Sequence, residues 1–406
     1  NQYTELTSAE HVEAAWRSEG KLGDLQREGR SRSWGRSHGY GLDGEIARAA
    51  MNTIDHLAAA KTKLPALQKE IAEQETLLKN HTGNPEHLNS EQWMEKYRWS
   101  YPNYGTPERD AYHLAEKIQN LKAAVVNITG ITNGTNSGYR GVLDVAKMTK
   151  AAVSALNRGY KELTGTGKTL IDKNGQPRPE ALKAVIADVN AKLKIANDLS
   201  KIIKDPNASA ADRVDAFKTL SNTYNRVYYN NRITGAALDA KDAANFVAAV
   251  YQLAGDKDER LKWESKVEKY EGLMKGDQIP AKDLVELSHK AAQETISKAQ
   301  ESSLLSADPT KFTPEQRDEV NALAEQYKKA SEYLEYANGV ARNDNSRMSD
   351  AQKIAARNMY FIANSGAEVC SAQISRSRIA EYQASLADQL KEIASKGTGI
   401  VESLTP

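Results

Sequence analysis

Residues 57–78 read LAAAKTKLPALQKEIAEQETLL, and residues 111–128 read AYHLAEKIQNLKAAVVNI. In both stretches the apolar side chains recur in steps of three and four residues, which places them on one face of a helix. Each stripe is too narrow for a helix that is buried on all sides, but two such stripes can bury each other. The two stretches therefore predict an antiparallel hairpin, in which residues 50–80 pack against residues 107–129.

Proline and threonine residues predict where the first helix of this hairpin bends and where the second helix begins. Pro65 predicts a kink in its first helix. Thr106 is a capping residue, and Pro107 after it suits the first position of the second helix. The connection between the two helices, residues 81–106, has no helical period.

Helical spacing continues to the C-terminus, with start signals at Ser209 to Asp212 and at Thr313 to Gln316. The predicted helices after the hairpin cover residues 140–163, 182–203, 210–228, 239–254, 257–275, 281–304, 314–338, 349–363 and 367–396, the last ending at Gly397. Strand patterning is confined to one possible β-hairpin near residues 169–178. The sequence thus predicts an all-α protein, an elongated assembly of antiparallel helical hairpins that resembles a coiled-coil bundle.

Four segments follow from these patterns. Residues 1–45 form an N-terminal segment, whose stretch REGRSRSWGRSHGYGLDG at residues 27–44 is rich in Gly, Arg and Ser and predicts a loop or tail. Residues 46–135 form the hairpin, with residues 81–106 at its tip. Residues 136–235 predict a central helical hairpin, and residues 236–406 predict a C-terminal helical bundle.

Composition excludes several classes of protein. The 55 Lys and Arg residues nearly cancel the 54 Asp and Glu residues, so no global field attracts nucleic acid or anionic lipid. A single cysteine, Cys370, excludes an internal disulfide framework and a multi-cysteine zinc site, and it predicts a buried structural thiol. The longest apolar run, Phe246 to Tyr251, is too short to span a bilayer. The chain starts at Asn1 and not at Met, which predicts that a leader has been removed.

Two glycine runs resemble nucleotide-binding motifs without their context. Residues 39–44 match G-x-G-x-x-G, but the residues before them cannot form the buried strand that a dinucleotide site needs. Residues 165–169 (GTGKT) end like a phosphate-binding loop, but Glu162 occupies the position of its first glycine. We therefore predict no cofactor, and a helix-terminating turn at Gly165.

No catalytic or metal-binding constellation stands out. The seven histidines are scattered, and His81, Glu86 and His87 in one loop are too few good ligands for a metal. The N-terminal segment interleaves arginines with aromatics, a pattern that could hold a nucleic-acid backbone while the aromatics stack on bases; the residues are Arg27, Arg30, Arg32, Trp34, Arg36 and Tyr40. No basic surface elsewhere extends it, so nucleic acid is disfavoured as a partner.

The tip loop is the most informative feature of the chain. Five aromatic residues fall within twelve positions, namely Trp93, Tyr97, Trp99, Tyr101 and Tyr104. They could fold back and cap the hairpin. Trp and Tyr are also the favoured anchors of protein interfaces and membrane surfaces, so all five are candidate partner-binding residues.

Residues 137–197 resemble a known family. The helix GYRGVLDVAKMTKAAVSALNRGYKEL leads to a Gly-rich turn and then to DKNGQPRPEALKAVIADVNAKLKIAN. This resembles the central coiled coil of the needle-tip proteins of type III secretion, the invasin-like hydrophilic translocators. The resemblance implies a secreted bacterial interaction protein, and it assigns no functional residue.

The function expected from these observations is non-enzymatic. The protein would be a secreted or surface-exposed bacterial helical protein, of the translocator or effector type, that docks partners and self-associates, because narrow stripes leave edges that another helix can cover. One alternative is a bacteriophage virion structural or DNA-ejection protein. Another is a component of an α-helical pore-forming toxin.

Overall fold

The computed structural model describes residues 6–32, 39–133, 143–221, 235–275, 279–344 and 347–404. Thirteen α-helices and two short 3₁₀ turns make up this part of the chain, without any strand, so the all-α prediction is confirmed. The helices are α1 Ser8–Arg32, α2 Gly39–Thr62, α3 Leu64–Lys79, α4 Ser90–Lys96, α5 Pro107–Asn133, α6 Val145–Thr164, α7 Pro179–Lys204, α8 Ala210–Ser221, α9 Ala236–Ala254, α10 Lys257–Met274, α11 Ala281–Gln300, α12 Pro314–Asn343 and α13 Asp350–Leu404. The β-hairpin near residues 169–178 is reduced to one bridge, between Ile171 and Pro177.

The chain folds as two compact units. Unit 1 contains residues 1–193 and 239–271, and unit 2 contains residues 194–238 and 272–406.

Unit 1 contains the hairpin that the first two stretches of sequence predict. α3 packs against α5, and α5 begins at Pro107, where the Thr106 hydroxyl accepts a hydrogen bond from the Arg109 amide at 3.3 Å. The first arm is divided between α2 and α3 at Lys63, since Pro65 lies in the first turn of α3, so the proline begins a new helix and does not kink an existing one.

The loop predicted at residues 27–44 is wrong at both of its ends. Residues 27–32 belong to α1 and residues 39–44 open α2. Trp34 and Arg36 lie outside the described residues. The glycine at position 44 reflects close packing of two helices and not a loop. A Cβ at Gly44 would come within 3.2 Å of the Phe246 backbone, so glycine at this position allows α2 to lie directly on α9.

Unit 2 is built around α11, α12 and α13, with α8 packed on α11. Its core contains Tyr327, Tyr333 and Cys370, and the Tyr333 hydroxyl donates to Asp215 of α8 at 2.8 Å. Ser209 caps α8 through the amide of Asp212 at 3.1 Å, and Thr313 and Gln316 form a capping box at the start of α12. Both predicted start signals are therefore confirmed, while the last part of the predicted helix 210–228, which contains Tyr224 and Tyr228, lies outside the described residues.

The two C-terminal helices predicted at residues 349–363 and 367–396 are one helix, α13. Gly366, which lies between the two predicted helices, is the point where α13 passes over the Tyr327 ring. Gly397 does not end the second, since α13 continues to Leu404.

Candidate functional site

The aromatic tip of the hairpin (residues 80–106 with the ends of α3 and α5) has a small core of its own. Trp93 of α4 is the largest side chain in it and is 2% exposed. The indole packs with Leu78 of α3 and with Tyr112 and Ile118 of α5. α4 is thereby held against both arms of the hairpin.

The turn that leaves α3 is held by one buried amide. The Asn84 side chain donates to the carbonyl oxygens of Leu78 and Leu88, both at 2.8 Å, and accepts from the Leu88 amide at 3.0 Å. Beside it, Gly83 lies so close to α5 that a Cβ would be 2.0 Å from the Pro107 carbonyl oxygen. The turn therefore packs directly against Pro107, the first residue of α5.

A polar network joins α3, α4 and α5 below the tip. The Glu75 carboxylate accepts from the Ser90 amide at 3.1 Å and pairs with Lys122 at 2.9 Å, and Gln119 donates to the Ser90 hydroxyl at 2.8 Å. Burial alone would raise the pKa of Glu75, but the hydrogen bonds from Ser90 and Lys122 outweigh it and hold the pKa below its usual range. Asn89 and Gln92 add a capping box to α4.

The five predicted contact residues divide into two groups. Trp93 is buried, and Tyr97 is half-buried and stacks on it with a centroid distance of 4.9 Å. Trp99, Tyr101 and Tyr104 are 90%, 71% and 88% exposed. The first pair caps the hairpin, and the other three aromatics face solvent on the rigid frame that this pair completes.

Two arginines accompany the exposed aromatics. The Arg109 guanidinium lies 4.7 Å from the Tyr104 ring centroid and 5.3 Å from that of Tyr101, and it donates to the Pro102 carbonyl at 3.3 Å. The Arg98 guanidinium lies 5.4 Å from the Trp99 centroid. The tip therefore presents aromatic faces and cationic edges together, a combination typical of residues that anchor protein interfaces.

Sequence reasoning missed a second apolar surface. From residue 381 to residue 397 every position of α13 is exposed. A row of apolar side chains nevertheless follows this helix in steps of three, four, four and three residues, within roughly 80° of its circumference at 100° per residue. We call this row the C-terminal stripe; it consists of Ile379, Tyr382, Leu386, Leu390 and Ile393. Its helical spacing was visible in the sequence, but its exposure was not.

The residues of the discounted motifs have structural roles. Gly165 takes a left-handed conformation (φ 64°) and ends α6, as predicted. The Glu162 carboxylate, which interrupts the phosphate-loop spacing, accepts from the Gly39 amide at the start of α2 at 2.7 Å. His81 accepts from the Gly83 amide, and His87 Nδ1 lies 2.6 Å from the Lys79 carbonyl oxygen.

Neither a metal-binding cluster nor a reactive thiol is found where side chains are described. No group of three or more His, Cys, Asp or Glu side chains in that part of the chain could hold a metal ion. Cys370 is fully buried, and burial raises the pKa of its thiol, which disfavours the thiolate.

Comparison of the chain with models of known protein families, with curated proteins and with solved structures gives no match. Within the described ranges, no helix has both the length and the apolar character needed to cross a bilayer.

Proposed function

We propose that the protein is a non-enzymatic docking protein, secreted or surface-exposed in a bacterium, that binds another protein through its aromatic tip and associates with itself through α13. The observation that carries the first part is the exposure of Trp99, Tyr101 and Tyr104 on a tip whose own core is complete without them. Large aromatic groups lose little conformational entropy on binding and bury much area, so they suit a docking surface.

Matched tryptophan variants separate docking from folding. Trp93→Ala removes a buried side chain and should lower the free energy of unfolding by about 3–5 kcal/mol. Trp99→Ala removes an exposed one and should change it by no more than about 0.5 kcal/mol. Thermal melts of both variants measure the difference.

Photo-crosslinking in the organism of origin tests the docking itself. A benzoylphenylalanine in place of Tyr104 should give an adduct with one defined protein, and adding Trp99→Ala should abolish that adduct. The matched control is the same reagent in place of Gln68, an exposed residue of α3 in the same hairpin. Adducts of equal yield from both positions, or no adduct from either, would refute a docking tip, and lipid adducts from Tyr104 alone would make the tip a membrane contact.

The spacing of the C-terminal stripe favours self-association as an antiparallel pair of α13 helices. Ile379 and Ile393 lie seven residues on either side of Leu386, and Tyr382 and Leu390 lie four residues on either side. Two antiparallel copies related by a two-fold axis at Leu386 would therefore bring every stripe residue opposite another one.

Charges near the stripe do not add to this attraction. Glu381 and Lys391 lie five residues on either side of Leu386, about 140° around the helix from it, so neither reaches the seam, and Glu381 already pairs with Arg317. Arg376 and Lys396, which lie closer to the seam, would fall level and repel, but both are exposed, and salt screens such pairs. The apolar seam therefore provides the main attraction.

Two pairs of substitutions test self-association. Leu386→Glu would place two carboxylates against each other and should convert the dimer to monomers in sedimentation velocity, whereas Ala384→Glu adds the same charge to the opposite face and should not. An oxidised Leu386→Cys variant should crosslink two chains, because Leu386 faces itself, while Ile379→Cys should not, because Ile379 faces Ile393. Equal crosslinking by both cysteines would indicate a parallel pair, and a monomeric wild-type protein at high concentration would remove this part of the proposal.

A further inference from the structure

Unit 2 contains an open-sided cavity of about 570 Å³. This volume lies within the range of about 300–1,000 Å³ that is usual for sites of small ligands. Residues of α11, α12 and α13 line it, together with Met348 just before α13. On α13 the lining positions are 353, 356, 357, 360, 361 and 364, which follow one face of the helix.

The walls of this cavity are largely apolar. Leu334 is buried, and Met348 and Ala356 are partly buried. Tyr360 and Phe361 are exposed at its edge, Phe361 to 73%. An apolar ligand placed between these side chains would cover apolar surface that the fold itself leaves exposed to water.

Two cations without acidic partners lie on the α13 side of the cavity. Lys353 and Arg357 are one helical turn apart on α13, and neither forms an ion pair with any residue that the structure describes. The one carboxylate of the lining, that of Glu335, is hydrogen-bonded by the Tyr360 hydroxyl at 3.2 Å. The lining therefore carries an excess of positive charge.

Neutral polar groups complete the lining. Asn364 accepts from the Ser331 hydroxyl at 3.3 Å, which leaves its amide N–H groups available to a ligand. His289 is half-buried, and burial lowers the pKa of its ring, so the ring is neutral at pH 7 and contributes no charge of its own. Any charge selectivity would come from Lys353 and Arg357.

We infer that this cavity binds an amphiphilic monocarboxylate, with the carboxylate at Lys353 and Arg357 and the apolar body against Leu334, Tyr360 and Phe361. A guanidinium and an ammonium one turn apart can hold the two oxygens of one carboxylate. The apolar wall excludes small hydrophilic anions as good ligands, because they would leave it uncovered. This site lies in unit 2 and is independent of the aromatic tip.

Laurate is a suitable probe, and isothermal titration calorimetry of the full chain is a suitable measurement. We expect one site with a Kd below about 100 μM, a range accessible to a ligand of this size. Butyrate, which has the charge without the chain, should bind at least tenfold more weakly. Dodecyltrimethylammonium, which has the chain with the opposite charge, should also bind at least tenfold more weakly.

Variants distinguish this cavity from general adsorption. Lys353→Gln with Arg357→Gln should weaken laurate at least tenfold, whereas Lys282→Gln with Lys298→Gln removes two exposed cations of α11 and should leave its affinity unchanged. Ala356→Phe should fill the cavity and abolish binding, with an unchanged circular dichroism spectrum as the check on folding. No saturable binding up to about 1 mM, equal binding of the cationic amphiphile, or equal losses in the two double variants would each overturn the inference.

Discussion

Asp242, in the second turn of α9, gives unit 1 a pH dependence that can be calculated. Its carboxylate lies against the start of α2, where a Cβ on Gly41 would be 2.7 Å from Oδ2. Burial, together with the nearby negative charges of Glu45 and Asp239, raises the pKa of Asp242 to about 7 in spite of Lys241. In the unfolded chain the same carboxyl would titrate near its ordinary value of about 3.9.

The sign of the effect follows from these two values. Below about pH 4 the carboxyl is protonated in both states and costs nothing. Between about pH 4 and pH 7 the unfolded chain loses the proton and the folded chain keeps it, so the stability of unit 1 falls as the pH rises. A difference of about three pKa units corresponds to about 4 kcal/mol, and the access of water to this partly buried carboxyl reduces it to about 2–4 kcal/mol.

Asp242→Asn removes this penalty without changing the shape of the side chain. The variant should exceed the wild type by no more than about 1 kcal/mol at pH 4.5 and by about 2–4 kcal/mol at pH 8. All five tryptophans lie within the sequence of unit 1, so their fluorescence during urea unfolding reports this unit alone. Asp258→Asn, at an exposed position of α10, is the control and should show no such trend. The same stability difference at both pH values would refute the reasoning.

Glycine substitutions supply the remaining predictions. Gly366→Ala in α13 would place a Cβ 2.5 Å from the Tyr327 ring and should destabilise unit 2 by about 1–3 kcal/mol. The control, Gly339→Ala in α12, has open space around it and should stabilise unit 2 by up to about 1 kcal/mol. Urea unfolding followed by circular dichroism measures both changes. Gly83→Ala would press on the Pro107 carbonyl and should raise hydrogen exchange at residues 80–106, whereas Gly20→Ala in α1, also in open space, should leave that exchange unchanged. A stable Gly366→Ala protein, or a Gly83→Ala tip with native protection, would contradict the contacts that we describe.

Features governed by neighbouring residues were predictable from the sequence. Thr106 and Pro107 start α5, and Thr313 and Gln316 cap α12, because a cap depends on side chains three or four positions apart. The narrow stripes of α3 and α5 likewise predicted their mutual packing, since each stripe can be recognised within its own helix, independently of the 27 residues (80–106) between them.

Features governed by distant residues were not predictable. Gly44 lies in a stretch predicted as a loop or tail, and Gly366 lies between two predicted helices, yet each is inside a helix where another element comes close, Phe246 in the first case and Tyr327 in the second. Trp93 and Trp99 looked equivalent in the tip loop. Their difference depends on α4, a helix of seven residues that the aromatic composition of the loop concealed.

The tip and the C-terminal stripe share a physical property that bears on function. In each, the nearby core closes without the exposed apolar side chains: Trp93 and Tyr112 complete the core of the tip, and Cys370 and Ile374 are the last buried apolar residues of α13 before the stripe. The exposed groups therefore add little to folding, while they add apolar surface that favours association. Since each surface lies on a regular helix or on a frame fixed by hydrogen bonds, little conformational entropy remains to be lost when a partner covers it. Surfaces of this kind are suited to binding, and this is why we place docking, and not catalysis, at the centre of the proposed function.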